Sequence, residues 1–158
     1  MAIDTQQLKG ADLFLTKLRL MPKEIVSKRG GPIKSALRRG ALVIALQAQE
    51  NIRNITARPD EDGYVSTGTL AASVVVRRDP RPQRSGANER YRILVARRRY
   101  PDGKTRTVAT GRYLEYGTEH RAPTPWLTPA YFSKRQEALD TVIEELRRSI
   151  DRYWKKYG

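Results

Sequence analysis

The stretch that decides the fold is Arg112–Tyr131, RYLEYGTEHRAPTPWLTPAY, near the end of the chain. Its twenty residues include four aromatics, one glycine, three prolines and the only histidine of the sequence. Stiff and bulky residues in this density are typical of three things: an active-site loop, a surface that stacks on nucleic-acid bases, or a rigid joint between two elements. The sequence on either side distinguishes between them.

A long helix is predicted directly after this stretch, over residues 128–157. Thr128 is a suitable helix cap and Pro129 suits the first helical position. At 1.5 Å per residue such a helix is about 45 Å long. The apolar residues that recur at helical spacing along it are Leu139, Val142, Leu146, Ile150 and Tyr153.

The N-terminal part, residues 1–56, is also predicted to be helical. Two shorter helices are expected at Thr5–Leu20 and Lys23–Lys28, and a longer one begins at Pro32. The opposite face of the longer helix is apolar as well, through Leu42, Val43 and Leu46, so we expect its middle to be covered on more than one side. Its main apolar stripe consists of Ile33, Leu37, Ala41, Ile44, Ala48, Ile52 and Ile55.

Residues 66–118 are predicted to form a small, mostly antiparallel sheet. SVVVRR (73–78) and ERYRILVARRRY (89–100) have the β-branched and alternating patterns of strands, with Tyr91, Ile93 and Val95 on one face. Together with the helices this predicts a single α+β domain spanning residues 1–158, with the sheet packed by N-terminal helices and the long C-terminal helix.

The turn sequence PDGK (101–104) predicts a hairpin made of Arg97–Tyr100 and Thr105–Ala109. These segments are too polar for a core, so we expect an exposed arm that contacts a neighbouring subunit or DNA. The basic residues of this predicted arm are Arg97, Arg98, Arg99, Lys104 and Arg106.

The amino-acid composition limits the kinds of partner that the chain can have. The chain of 158 residues has a formal net charge of +14 and no cysteine, so disulfides and thiolate metal sites are excluded. Such a charge favours either phosphate neutralisation or docking against acidic proteins, and composition does not separate the two. The longest apolar run, residues 41–46, is too short to cross a bilayer, and the first residues do not resemble a signal peptide. We therefore expect a soluble protein without a membrane partner, made in a cytoplasm.

No arrangement of residues suits catalysis, a cofactor or a metal ion. The lone His120 lies in a polar turn, and the acidic triplet Asp60–Asp62 lacks the spacing of metal ligands. A nuclease would require Asp79, Glu89 and Glu115 to converge, which their spacing does not indicate. We therefore expect a protein that is not an enzyme.

Basic residues interleaved with tyrosines resemble a single-strand binding surface, in which rings stack on bases. Packing is the favoured interpretation instead. Tyr91 fits the core face of the sheet, while Tyr113 and Tyr116 share one side of a short helical turn. Tyr100 is the remaining tyrosine of this group.

Three motifs and their order resemble the "gene product ten" family of tailed-phage proteins, which act in head–tail joining and tail completion. A short box with the pattern tG-x-L-x-x-S is followed by an E-[FY]-G-T box and then by a P-[FW]-L-x-P-A box. In this chain they are Thr67, Gly68, Leu70 and Ser73; Glu115, Tyr116, Gly117 and Thr118; and Pro125, Trp126, Leu127, Thr128, Pro129 and Ala130. Trp126 stands where phenylalanine is commoner in the family.

The resemblance implies a structural virion protein without enzymatic activity or cofactor, located in the neck or upper tail and made in the bacterial host cytoplasm. It further implies a ring of identical copies, with a hexamer favoured, that contacts neighbouring neck, tail-terminator or tail-tube proteins. Contact with genomic DNA in the channel of the ring is compatible with the charge. The alternative is a basic DNA-binding protein without a virion role.

Physical reasoning gives the last two boxes a structural role, which favours the rigid joint. Gly117 is expected to end the preceding helical turn in a left-handed conformation. Pro123 and Pro125 keep the following segment extended, and Trp126 with Leu127 is expected to fill the core. Glu115 is expected to accept hydrogen bonds from nearby backbone or arginine.

Overall fold

The structure is a computed structural model that describes residues 31–56 and 66–157. The two predicted helices before residue 31, and most of the predicted loop after the longer helix, lie outside the described residues. Those described form four helices, two strands and a 3-10 turn at Pro82–Ser85. In chain order the elements are α1 (Pro32–Ile55), α2 (Thr69–Ser73), β1 (Val74–Arg78), β2 (Tyr91–Val95), α3 (Thr107–Tyr116) and α4 (Leu127–Tyr157). The fold class is α+β, as the sequence predicts.

The two long helices, α1 and α4, pack against each other in antiparallel orientation. The helices are close together at Gly40, since a Cβ placed there would lie 2.4 Å from Val142 Cγ2 and 2.8 Å from the Ala138 carbonyl oxygen. Next to Gly40, Arg39 of α1 forms a 2.8 Å ion pair with Glu145 of α4. Glycine and alanine at the contact let two helix backbones come close together.

The buried stripe of α1 differs from the predicted one. Of the predicted residues, Ala48 and Ile52 are buried, whereas Ile33, Leu37 and Ala41 are only partly buried. The close helix contact explains the difference, because small residues occupy its centre and larger ones flank it. The buried residues of α1 are Ala36, Gly40, Ala45, Ala48 and Ile52.

Leu46, on the other face of α1, is 60% exposed with respect to the described residues, and Leu42 and Val43 are half-buried. The prediction that the middle of α1 is covered on more than one side is therefore not met by this part of the chain. Within the described residues, no helix is both long enough and apolar enough to cross a membrane.

The sheet consists of two antiparallel strands. Val74 pairs with Val95 and Val76 with Ile93, so their side chains share the face that packs on the core. This confirms the predicted face of the second strand, although that strand ends at Val95 and not at residue 100. The core that the sheet and helices enclose is centred on Ile52, Leu70, Val74, Leu114 and Trp126.

Neither predicted strand of the hairpin, Arg97–Tyr100 or Thr105–Ala109, is present, although the chain turns back on itself between them. Residues 97–106 form a loop held by a single bridge between Arg99 and Arg106. Thr107, predicted to be in a strand, begins α3 instead. Its buried hydroxyl donates a 2.7 Å hydrogen bond to the carbonyl of Ala96, which fixes the start of the helix against the end of β2. Asp102 closes the tip of the loop by accepting hydrogen bonds from the backbone N–H groups of Lys104 and Thr105.

Candidate functional site

The residues of the last two boxes meet at a joint between α3 and α4, centred on the buried carboxylate of Glu115. This carboxylate accepts hydrogen bonds from the backbone N–H of Trp126 at 2.8 Å, of Leu127 at 2.8 Å and of Thr128 at 3.0 Å. It also accepts one from the Thr128 hydroxyl. The first N–H groups of a helix have no partner within the helix, and the next residue, Pro129, has no N–H. Glu115 therefore satisfies every free donor of the first turn of α4.

The ionisation of Glu115 follows from this geometry. Burial alone would raise its pKa, but the Thr128 hydroxyl and the three backbone N–H groups outweigh burial and lower it. Glu115 is therefore ionised at neutral pH. Its negative charge lies at the N-terminus of a 31-residue helix, where the helix dipole favours an anion.

Helix α4 begins at Leu127, one residue before the predicted cap. Thr128 is therefore inside the helix and is not its N-cap. The capping group is the side chain of Glu115, which belongs to another helix. Of the two kinds of donor expected for Glu115, backbone and arginine, the backbone is the one found, together with the Thr128 hydroxyl.

Trp126 anchors the joint in the core. Its side chain is 3% exposed, and its indole N–H donates a 2.8 Å hydrogen bond to the carbonyl of Gly111 in α3. The Trp126 carbonyl accepts a 3.0 Å hydrogen bond from the Asn51 side chain of α1. One residue therefore connects three helices, which confirms the expectation that Trp126 enters the core.

Gly117 ends α3 with φ +76°, a backbone conformation that residues other than glycine rarely adopt. A Cβ at this position would also lie 2.8 Å from the carbonyl oxygen of Arg121 and 2.8 Å from the nitrogen of Pro123. The predicted need for glycine after this helix is met on both grounds.

The first box forms the short helix α2. Gly68 precedes it with φ +70°, and Leu70 is buried in the core. The buried hydroxyl of Ser73 donates a 2.6 Å hydrogen bond to the carbonyl of Thr69. The remaining box residues divide between surface and core. Those at the surface are Tyr116, Thr118, Pro125 and Pro129. Leu127 and Ala130 pack on the core.

On the opposite side of α3 lies an open groove of about 650 Å³, here called the arginine–tyrosine groove. Tyr113 is 56% exposed and Tyr116 is 75% exposed, so the expectation that these two tyrosines pack inside is wrong. On α3, Gly111, Leu114 and Glu115 take the inward positions, which leaves the tyrosines facing outward. The residues that define the groove are Arg97, Arg106, Val108, Arg112, Tyr113 and Tyr116.

The groove is cationic. Within residues 31–56 and 66–157, none of its three arginines forms an ion pair, although other arginines do. Arg78, for example, pairs with Glu89, and Arg148 pairs with Glu144. Among the residues that the structure describes, the groove lining includes no carboxylate.

Only two of the five predicted contact residues, Arg97 and Arg106, line the groove. Arg98, Arg99 and Lys104 do not; the Arg99 guanidinium instead donates a 2.9 Å hydrogen bond to the Gly103 carbonyl. Sequence reasoning missed Val108, Arg112 and both groove tyrosines as surface residues. The available signal was the spacing of Val108, Arg112 and Tyr116, four residues apart, which places them on one face of a helix.

The carboxylates considered for a nuclease do not converge. Asp79 faces Arg90 and Arg92, at 3.8 and 3.7 Å, while Glu89 pairs with Arg78 and Glu115 caps α4. In the part of the chain that the structure describes, no group of three histidine, aspartate or glutamate residues could hold a metal ion.

Comparisons with protein-family models, with curated proteins and with solved structures found no match to this chain.

Proposed function

We propose that the chain is a structural virion protein of a tailed phage or prophage, which assembles with its own copies into a ring in the neck or upper tail. The ring joins head and tail. The proposal rests on the family resemblance, and the observation that supports it best is the joint. Residues of two separate boxes, Glu115 and Gly117 in one and Trp126 in the other, act there as one structural unit.

The joint has a consequence for assembly. It fixes the direction of the long helix α4 relative to α3 through hydrogen bonds to buried groups, which are costly to break. A ring subunit has to present its contact surfaces at a constant angle, because small angular errors add up around the ring. A rigid connection of this kind is what such a subunit requires.

A closed ring of identical subunits uses heterologous contacts, so each copy needs two different complementary surfaces. Two surfaces on this chain that suit this are the loop 79–89 and the exposed face of α4. The net charge of +14 favours neighbouring neck and tail proteins that are acidic. A hexamer remains the favoured copy number, from the resemblance.

The experiment is a mass measurement on the purified protein by size-exclusion chromatography with light scattering, followed by electron microscopy of negatively stained samples. We expect a mass that is a multiple of the 18.1 kDa chain, and closed rings in the images. In phage particles purified from a lysate, antibody labelling should lie at the neck. A monomer at every concentration that is also absent from particles would contradict the proposal.

The second candidate is a basic DNA-binding protein without a virion role, which is favoured by the groove arginines, since these have no ion pair among the described residues. A monomer that binds duplex DNA tightly, with an affinity that falls steeply as salt rises, would support this candidate over the ring. Weak binding of DNA by an assembled ring would not distinguish the two.

A further inference from the structure

The arginine–tyrosine groove places exposed aromatic rings beside guanidinium groups that have no acidic partner among the described residues. We propose that this groove binds a single strand of DNA, with its arginines on the phosphates and its tyrosines stacked on the bases. The groove is present on each subunit, so this binding does not require ring formation. We take DNA as the strand, and a comparison with oligouridine tests that choice.

The aromatic rings support a strand whose bases are accessible. Tyr113 and Tyr116 lie three residues apart on α3, where neighbouring side chains are about 5–6 Å apart at their Cβ atoms. Both residues are more than half exposed, so each has surface that a ligand can cover. Every base has a π-face that stacks on such a ring, whereas in a duplex the bases are already stacked on each other.

The charges support a polyanion. Arg97 and Arg106 flank the groove from the loop, and Arg112 lies between the tyrosines and Val108 on α3. Their guanidinium groups suit phosphate oxygens, which they can contact through two parallel N–H donors. The volume of about 650 Å³ is within the usual range of ligand sites, so the groove holds part of a strand and not a folded partner.

An acidic protein segment would satisfy the arginines but not the rings. The face of an aromatic ring carries partial negative charge, so it does not attract a carboxylate. A nucleic acid strand carries both groups that the groove lacks, an anion for each arginine and a flat surface for each tyrosine. A strand of DNA therefore uses both features of the groove.

The test is fluorescence anisotropy of a labelled oligothymidine about twenty nucleotides long, titrated with the intact protein over a series of salt concentrations. Replacing both rings (Tyr113→Ala with Tyr116→Ala) should weaken binding about tenfold or more. The variant that keeps both rings (Tyr113→Phe with Tyr116→Phe) should bind like the wild type. Circular dichroism checks that each variant is folded.

Replacing the three groove arginines by glutamine should weaken binding and reduce the slope of log K against log salt by about 2, since each phosphate contact on a single strand contributes about 0.7. The matched control removes the same charge elsewhere, at Arg38, Arg53 and Arg84, which are exposed and lie outside the groove. This control should keep most of the affinity and of the slope.

Three results would overturn the proposal. Unchanged binding by the double alanine variant, or tighter binding of a duplex of equal length, would show that stacking is not involved. Competition by polyglutamate as strong as by oligothymidine would identify the groove as a site for acidic protein. Tighter binding of oligouridine would show that the choice of DNA is wrong. Light scattering on the same samples reports ring formation separately, so failure here is distinguishable from failure of the ring.

Discussion

Similar kinds of residue lie on the two sides of helix α3, in opposite environments. On the inner side, the charged Glu115 is buried and fully hydrogen-bonded, and the aromatic Trp126 is packed against Gly111. On the outer side, the charged Arg112 lacks an ion pair among the described residues and the aromatic Tyr116 is 75% exposed. One helix of ten residues thus has one side committed to the fold and one side available to a partner.

The difference teaches that residue type alone does not identify a binding surface. Buried polar groups in folded proteins are almost always hydrogen-bonded, as Glu115 is. Aromatic residues and arginine are enriched at protein interfaces, so an exposed ring beside an exposed arginine indicates a binding surface. We therefore expect substitutions on the inner side of α3 to change stability and substitutions on its outer side to change binding.

The largest effect is expected for Trp126→Ala. Removal of this buried side chain leaves a cavity in the core and breaks the hydrogen bond to Gly111, so the free energy of unfolding should fall by about 3–5 kcal/mol. Urea denaturation followed by circular dichroism measures it. Trp126→Phe fills most of the cavity and should cost less. A Trp126→Ala protein that melts within a few degrees of the wild type would show that the joint does not depend on this ring.

Glu115→Gln should cost about 2–3 kcal/mol, because an amide makes weaker hydrogen bonds than a carboxylate and directs an N–H₂ group at other donors. The penalty should depend on pH. The folded state lowers the pKa of Glu115, so the carboxylate stabilises fully above its ordinary pKa, and this stabilisation is lost as the pH falls through the folded value. Denaturation of both proteins from neutral pH into acid should show the gap narrowing; a constant gap would contradict this account.

Gly40→Ala should cost about 1–3 kcal/mol through overpacking, although alanine favours helices intrinsically. The added Cβ would lie 2.8 Å from the carbonyl oxygen of Ala138, and backbone cannot rotate away as the Val142 side chain can. Thermal unfolding measures the effect. Ser35→Ala, at an exposed position of the same helix, is the control and should be neutral or slightly stabilising. Equal stability of both variants would show that α1 and α4 are not in close contact at Gly40.

The smallest effect on stability is expected on the outer side of α3. Arg97→Gln, Arg106→Gln and Arg112→Gln together should change the free energy of unfolding by less than about 0.5 kcal/mol, because exposed side chains without ion pairs contribute little. The same denaturation assay measures it. A loss comparable to that of Glu115→Gln would erase the contrast between the two sides of the helix.

Much of the fold could be predicted from local patterns. The spacing of apolar residues located α1 and α4, and β-branched runs located β1 and the start of β2, because each signal depends on a few neighbouring residues. The glycine after α3 was also predictable, since a helix that ends sharply before prolines favours a residue that tolerates positive φ.

The errors share a cause, which is that tertiary contacts are not encoded locally. Thr107 favours a strand by its own preference, yet its hydrogen bond to Ala96 starts a helix. The spacing of Tyr113 and Tyr116 fits either side of a helix, and Leu114 and Glu115 take the inner one. Glu115 was expected to accept hydrogen bonds, but its role as the cap of a helix that begins twelve residues later depends on how the chain folds back.

The capping of α4 by α3 has a mechanical consequence. A pull on Arg112 or Tyr116 is transmitted within one helical turn to Glu115, and from there to the first residues of α4. The Trp126–Gly111 and Thr124–Leu114 hydrogen bonds run alongside, at 2.8 and 2.7 Å. Force that arrives at the protein surface is thus carried into the longest element of the molecule through a few short polar links, and the stiffness of those links sets how faithfully the load is relayed.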